Sequence, residues 1–338
     1  MRALQITGLN ESSLVTLPDP VPGPGEALVA LRAAALNHRD VWIKIGQYAG
    51  ITYPCIPGSD GAGTVVALGE GADPSWLGRA VIIDPALGWG RDTRAQGPDF
   101  DILGLRRPGT LATHVRVPAT LLVPKPEFLS WDEAAALPLA GLTAWRALLT
   151  RAAAKHGDRV LVTGIGGGVA LFVLQFAVAS GLETWVTSSS PDKIAQAVRL
   201  GARGGFVYGR PGWAAAATAA AGQFTVIVDG AGGEGFGDLI DLAAPGGRIA
   251  LYGATRGNPP GIALRKIFWR QLSLLGSTMG SPADWAAMTR FVNAHWIKPV
   301  VAATFPLEQA AEAFALMEAG GQFGKIVLQI AESAQESP

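Results

Sequence analysis

The run from Val160 to Ala170 reads V-L-V-T-G-I-G-G-G-V-A, and the chemistry it offers is recognition of an anion. A β-branched run enters it, glycines turn it, and Leu171 to Ala177 leave it with helix-compatible spacing. This pattern predicts a strand, a tight turn and a helix N-terminus. Glycines let the backbone approach a pyrophosphate closely, while the first helical turn offers unpaired N–H groups and the positive end of its dipole. Gly164, Gly167 and Ala170 follow G-x-x-G-x-x-A rather than a strict G-x-G-x-x-G, with Gly168 and Val169 completing the segment that would face a phosphate. Taken alone, the turn also fits a buried strand-to-helix junction that binds nothing. No charged side chain lies between Val160 and Leu182, yet the positions left after the glycines are too few to cross a bilayer, which takes about 20 apolar residues.

A second signal lies at the end of the following strand, where W-V-T runs into Ser188, Ser189 and Ser190 with no acid at the tip. An Asp or Glu there would accept hydrogen bonds from a ribose diol and repel a 2′-phosphate. Ser190 precedes Pro191 as an N-cap precedes the first helical residue, so one serine has a structural explanation. Lys193 falls in the first helical turn, where a cation opposes the helix dipole unless an anion compensates it. A 2′-phosphate is such an anion, and NADPH is therefore expected over NADH. Asp192 is the nearby acid that would reverse the preference if it turned toward the ribose.

These groups need a scaffold. Up to about residue 125 the chain is rich in Pro and Gly with short β-like runs at Ala27 to Ala33, Gly63 to Leu68, Ala80 to Ile83 and Ala112 to Val117, which predicts an irregular β domain. From Ser130 onward helices and strands alternate. Helices are expected from Trp131, around Leu142 to Ala154, and over 169–180, 191–200, 213–221 and 236–243. Strands are expected at Arg159 to Thr163, Thr184 to Thr187, Phe206 to Tyr208, Thr225 to Asp229, Arg248 to Tyr252 and Leu272 to Leu275. Such alternation implies an α/β fold with a doubly wound parallel sheet. After Gly280 come a helix (282–295), a Pro-bearing link, a helix (307–319) and a final strand, Lys325 to Ile330, expected to rejoin the first domain.

The 338 residues, 49% hydrophobic, suffice for two sizeable cores. Twenty-seven basic and 27 acidic residues cancel and no basic block occurs, so nothing recommends nucleic acid as a partner. A single cysteine, Cys55, excludes an internal disulfide, and the N-terminal M-R-A-L-Q-I-T-G lacks the apolar run of a signal peptide. A cytoplasmic protein without membrane association is expected.

Several segments in order resemble the medium-chain dehydrogenase/reductase superfamily, and within it the zinc-free quinone oxidoreductase-like branch. They are A-L-N-H-R-D-V-W-I-K-I-G-Q-Y (35–48), P-G-S-D-G-A-G-T-V-V-A-L-G (57–69), A-A-L-P-L-A-G-L-T-A-W (135–145), the glycine turn, V-D-G-A-G-G (228–233), P-G-G-R-I-A-L-Y-G (245–253) and G-K-I-V-L (324–328). The resemblance implies a GroES-like catalytic domain (1–125, completed by 280–338) around an inserted Rossmann domain (126–279). It also implies cofactor contacts from Thr143 near the nicotinamide and from Tyr208 at the 2′-phosphate. Gly253, Ala254, Gly276 and Ser277 on the Rossmann side, and Phe323, Gly324 and Lys325 near the chain end, are expected to join them.

Zinc enzymes of that superfamily hold a catalytic metal at three positions that here are Asn37, Ser59 and Leu139. Leu139 cannot ligate, and an amide and a hydroxyl are poor zinc ligands. The segment matching their structural-zinc lobe, 86–100, has no Cys, and His38, His114, His156 and His295 lack ligand-like spacing. Arg39 replaces the hydroxyl residue that relays protons in the zinc enzymes. What remains is direct hydride transfer to an acceptor that is already electrophilic, a quinone or an α,β-unsaturated carbonyl. The resulting oxyanion is delocalised, and hydrogen-bond donors can stabilise it without a metal. Asn37 and Tyr48 lie on the segment that faces the nicotinamide in quinone oxidoreductases and are the expected catalytic residues. Asn37 could instead satisfy loop backbone, and Tyr48 could cap its loop. Asp40 reads as a structural carboxylate near a helix, and Cys55 as a packed thiol. A homodimer joined through the apolar strand near Leu272 to Leu275 is expected, because such an edge is otherwise open to aggregation. Two other readings are a non-catalytic NADPH-binding sensor or structural protein, and a zinc alcohol dehydrogenase with unconventional ligands.

Overall fold

Strand and helix alternation after Ser130 builds a six-stranded, wholly parallel sheet in the computed structural model, which describes residues 1–330. Its spatial order is Gly204–Val207, Glu183–Ser188, Arg159–Val162, Phe224–Asp229, Ala243–Leu251 and Ser273–Gly276. The central strand is apolar because both its faces are covered: Val160, Leu161 and Val162 are fully buried, and Val162 stands beside Val186 on one side and Val228 on the other. Progression along the sheet reverses at Arg159–Val162. The glycine turn that follows this strand therefore opens at the switch point, where doubly wound sheets bind their ligands. Behind the turn, helix Gly168–Ala179 buries Phe172 and Phe176, with Trp145 and Phe291 edge-on to Phe176. The charge-free stretch 160–182 is thus a strand and a twelve-residue helix, and no helix among the described residues is long and apolar enough to cross a membrane.

The other sheet has seven strands. Val301–Pro306, Lys325–Gln329, Glu26–Ala35, Asp60–Leu68, Ala80–Ile83 and Leu122–Pro124 lie side by side, and His114–Pro118 pairs with the first half of Glu26–Ala35. The final strand does rejoin the N-terminal part: it runs antiparallel to Glu26–Ala35 with Val327 opposite Ala35. Val301–Pro306, expected to be a link, is a half-exposed edge strand whose small alternating side chains hide the period-2 signal. The hairpin Arg2–Gly8 with Glu11–Thr16 was likewise not predicted; Asn10, at φ +60°, supplies its turn. Helix His38–Lys44 and helix Leu264–Trp269 also arise where none was expected. The helix expected over 142–154 is Pro138–Trp145, continued to Arg151 by wider turns in which the Ala152 N–H reaches the Ala147 carbonyl.

Two compact units result. One comprises Met1–Ala140, Ser281–Trp285 and, among the described residues, 292–330; the other comprises Gly141–Gly280 and Ala286–Phe291. Residues 126–140 therefore group with the first unit, whereas the sequence placed the start of the second at 126. The reason is that helix Trp131–Ala136 buries Ala134, Ala135 and Ala136 against strands of the first unit.

Candidate functional site

In the Rossmann unit the turn is held by its neighbour strand. The Gly164 N–H, at φ +62°, points to Thr187 Oγ1 (3.3 Å), and the Ile165 N–H donates to the Thr187 carbonyl (2.8 Å). Gly167 is the N-cap of the helix at φ −76°, a conformation open to any residue, and a Cβ built there meets no atom within 4 Å. The fold itself does not require glycine at this position. No side chain caps the helix, so the N–H groups of its first turn, which begins at Gly168 and Val169, are left without a side-chain acceptor there. A phosphate fits both facts.

Most of the other expected cofactor residues belong to the same unit, on or just after its strands, whereas Phe323, Gly324 and Lys325 belong to the other unit. Ser188 is buried, and its Oγ accepts from the Ser190 N–H (3.1 Å), so much of its hydrogen-bonding capacity is spent on the turn. Ser189 is exposed, and Ser190 caps the helix Pro191–Arg199 by accepting from the Lys193 N–H (3.3 Å). Burial pulls the Lys193 ammonium below its ordinary pKa, a loss that an adjacent phosphate would reverse. The Tyr208 N–H donates to the Ser188 carbonyl (3.3 Å), and the Arg256 guanidinium lies 5.1 Å from the Tyr208 ring centroid. Arg256 was missed by sequence reasoning. It sits on a different loop, and only the tertiary fold brings it over the tyrosine. Gly253 approaches the Gly230 carbonyl, where its own Cβ would lie 3.0 Å away, and the Ala254 carbonyl accepts from the Gly257 N–H (2.9 Å). The Gly276 carbonyl is taken by Arg151 Nε (2.7 Å), and the Ser277 N–H donates to the Leu251 carbonyl (2.8 Å). The Ser277 Oγ is sealed and has no hydrogen-bond partner, an orphaned group that a bound ligand would satisfy. Thr143 is buried and points its hydroxyl toward Met279 Sδ (3.9 Å).

In the GroES-like unit the side chains form two networks. In the first, Lys325 Nζ donates to Asp60 Oδ2 (2.8 Å) and Asn37 Oδ1 (2.7 Å), and Asn37 Nδ2 donates to the same Asp60 oxygen (2.9 Å). The other Asp60 oxygen accepts from the Leu139 N–H (2.7 Å), and the Lys325 and Asp60 side chains are 4% and 0% exposed. Gly324 lets the chain bring Lys325 inward: at φ +129° it lies so close to the Val300 carbonyl that a Cβ would stand 2.5 Å from it. Phe323, just before it, is half-buried. The Asn37 amide is thus committed at both ends to a buried ion pair rather than left facing a ligand. Asp60 was not singled out from the sequence, although a lone acid inside the apolar run P-G-S-D-G-A-G-T-V-V could have drawn notice.

The second network centres on Arg39, which is buried. Its Nη1 donates to Ser59 Oγ (2.6 Å) and to the Leu103 carbonyl (2.8 Å), and Ser59 donates to that carbonyl as well (2.7 Å). Its Nε faces Tyr48 Oη at 3.4 Å, with the guanidinium 5.0 Å from the tyrosine ring centroid. Asp40 accepts from the Asn37 N–H (2.8 Å) and the Gly58 N–H (3.2 Å), the structural role expected of it; burial pushes its pKa up against the pull of Arg39 and those bonds. Cys55 is a packed thiol beside Ile6, Ile43 and Leu105, its pKa raised by burial.

A zinc ion does not fit these side chains. The two positions that retain a polar atom are each held by a cation, Ser59 by Arg39 and Asn37 by Lys325. Among the described residues no cluster of three or more His, Cys, Asp or Glu is arranged to hold a metal.

A parallel nucleotide-binding sheet with an open glycine turn, joined in one chain to a GroES-like β unit, defines a pyridine-nucleotide-type oxidoreductase. The model for the alcohol dehydrogenase GroES-like domain matches residues 23–127, and that for zinc-binding dehydrogenases matches 168–294. The chain is 38% identical to a zinc-type alcohol dehydrogenase-like protein of Leptosphaeria maculans over 337 residues, covering 92% of each. It is 27% identical to the quinone oxidoreductase of Rattus norvegicus, covering 97% of each. A solved NAD-dependent alcohol dehydrogenase superposes with a TM-score of 0.93 at 40% identity, covering 98% of this chain and 100% of that one. The chain belongs to the medium-chain dehydrogenase/reductase superfamily and is an oxidoreductase of that type.

Proposed function

We propose that this protein is an NADPH-dependent oxidoreductase that transfers hydride to a quinone or α,β-unsaturated carbonyl without a metal. The observation that carries the reading is the pair of cations on Ser59 and Asn37, which leaves no donor set for a Lewis-acidic ion and favours acceptors that need none. When bound, the reduced nicotinamide supplies the hydride. The protein's own residues bind and orient. Gly164, Gly167, Gly168 and Val169 present backbone to the pyrophosphate, and Lys193, Ser189 and Tyr208, joined by Arg256, take the 2′-phosphate. Thr143 and Ser277 line the cofactor's remaining path. Tyr48 donates to the acceptor, while Asn37 acts as a positioning residue through Asp60 and Lys325. The similarity to a quinone oxidoreductase supports the acceptor class, and the absence of an acid after Thr187 supports NADPH.

The same reading includes a homodimer joined through Ser273–Gly276. This strand is paired on one side only, and Leu264, Phe268 and Trp269 stand 69%, 67% and 83% exposed on the helix just before it. The deciding experiment follows NADPH absorbance across a panel of quinones, enones and simple alcohols or aldehydes, with protein before and after chelation. Reduction of conjugated acceptors by zinc-poor protein, unchanged by chelator, is the expected result. Stoichiometric zinc with activity lost on its removal would overturn the metal-free reading, and no turnover with any acceptor would favour a binding protein.

A further inference from the structure

Arg39 is a buried cation without a counter-ion at hand. It is 6% exposed and forms no ion pair among the described residues, and the nearest acid in sequence, Asp40, is occupied by two backbone N–H groups. Burying a charge without a partner is costly unless hydrogen bonds or an opposite charge compensate it. Compensation here is partial. Nη1 is satisfied twice and Nε leans on Tyr48, but Nη2 has no acceptor among the described residues. Nη2 is not among the fully sealed side-chain atoms of the described residues and keeps the residual exposure of this side chain.

The shape of the group matters as much as its charge. A guanidinium is planar and always protonated, and its Nε–H and Nη2–H lie along one edge, the edge that bears Tyr48 Oη at 3.4 Å. Because Tyr48 accepts from Nε, its own O–H is left to donate. An oxygen placed at this edge receives Nη2–H from the arginine and O–H from the tyrosine. Ser59 and the Leu103 carbonyl fix the opposite end of the fork, and the tyrosine ring covers one face, so the donors are held before any ligand arrives.

We propose that Arg39 is a catalytic residue whose Nη2, with the Tyr48 hydroxyl, binds the acceptor's carbonyl oxygen and stabilises the enolate or phenolate formed there. This rests on the function proposed above and deepens it by defining the substrates as carbonyls whose reduction places a delocalised oxyanion at one oxygen. A bound reduced nicotinamide would supply the hydride, which in an enone would bond to the carbon at the far end of the conjugated system and in a quinone to the far carbonyl oxygen. The π pair moves onto the carbonyl oxygen, and the Tyr48 proton passes to that oxygen. The tyrosinate left behind faces Arg39 Nε and is reprotonated from water. The nicotinamide is oxidised and the conjugated carbonyl reduced, each by two electrons.

The test uses 4-nitrophenol, whose ionised form absorbs at a distinct wavelength, as a probe of the oxyanion in protein saturated with NADP⁺. Wild type should bind it as the phenolate at a pH where the free phenol is mostly neutral. Arg39→Met should lose that ionisation and reduce kcat/KM for the conjugated acceptor by about 10- to 100-fold with NADP⁺ affinity unchanged. Arg39→Lys, which keeps the charge but not the fork, should fall between. Neutral binding or no binding by wild type, or an Arg39→Met variant with unaltered kcat/KM, would overturn the assignment; if Arg39→Met does not fold, the wild-type titration and Arg39→Lys decide it. Ionised binding in a protein that reduces no acceptor would instead refute the proposed function and leave the oxyanion site standing.

Discussion

Lys193 and Asp84 show how much a single side chain can report. Lys193 lies in the first turn of helix Pro191–Arg199, where burial pulls its ammonium below its ordinary pKa and a 2′-phosphate would restore the charged form. A charge-assisted hydrogen bond contributes about 1.5–3 kcal/mol. Lys193→Ala should therefore weaken NADPH by about 10- to 100-fold and leave NADH affinity nearly unchanged, as measured by fluorescence titration with both cofactors. Equal weakening of the two would assign Lys193 to the adenosine or the fold. Asp84 is a different case, a carboxylate 4% exposed that among the described residues accepts only the Ala86 N–H (3.0 Å). Burial pushes its pKa up to about 7, against that bond's opposing pull. The folded state then holds a proton that the unfolded state has released, so this group's stabilisation is full below about pH 4 and is lost as pH rises through about 7. The span amounts to about 4 kcal/mol. Asp84→Asn should raise the melting temperature at pH 8 relative to wild type and flatten its dependence between pH 5 and 8. An unchanged pH profile would show that Asp84 titrates normally.

At the scale of the element, the N-terminus of helix Gly168–Ala179 carries the cofactor assignment. Gly167 has ordinary backbone angles and empty space where a side chain would be, so Gly167→Ala costs the fold little. The added methyl group occupies the volume assigned to the pyrophosphate. We expect a melting temperature within about 2 °C of wild type without cofactor, and NADPH binding weakened at least about tenfold by calorimetry. Unaltered affinity would move the phosphate away from this turn. This element was legible in the sequence because every determinant is local: β-branched entry, glycine turn and apolar exit are contiguous. Helix His38–Lys44 was not, since its start depends on Asp40 accepting from the Asn37 N–H, a bond easily mistaken for loop chemistry in a segment of mixed polarity.

At the scale of the whole molecule, the exposed apolar side chains beside an edge strand paired on one side predict association. Trp269→Asp combined with Phe268→Ser should shift the mass measured by light scattering at micromolar concentration from dimer to monomer, with the fold retained by circular dichroism. A wild-type protein that is already monomeric would end the dimer proposal. Long-range order also sets the topology, for Lys325–Gln329 at the chain end completes a sheet begun at Glu26 and delivers Lys325 to Asp60. Removing one member of that pair leaves a buried charge unpaired, which is why the strand's placement matters beyond its backbone bonds.

Local pattern determined the parallel sheet and its helices, the nucleotide turn, the Ser190 cap and the return of the last strand, because periodicity, turn residues and caps act over a few positions. The serines and Lys193 at the end of the second strand were read as candidate cofactor contacts from local pattern, whereas Tyr208, Gly253, Ala254, Gly276 and Ser277 were expected only through the family resemblance. Only the tertiary structure decided what the polar side chains of the GroES-like unit do. Asn37, Asp60 and Lys325 are far apart in sequence, as are Arg39, Ser59 and Leu103, and no spacing rule reveals that a buried cation answers each would-be metal donor. The same holds for Arg256 over Tyr208. Hydrogen bonds and ion pairs between distant residues are satisfied by the folded arrangement as a whole, so residue type can indicate their chemistry while only the fold selects their partners.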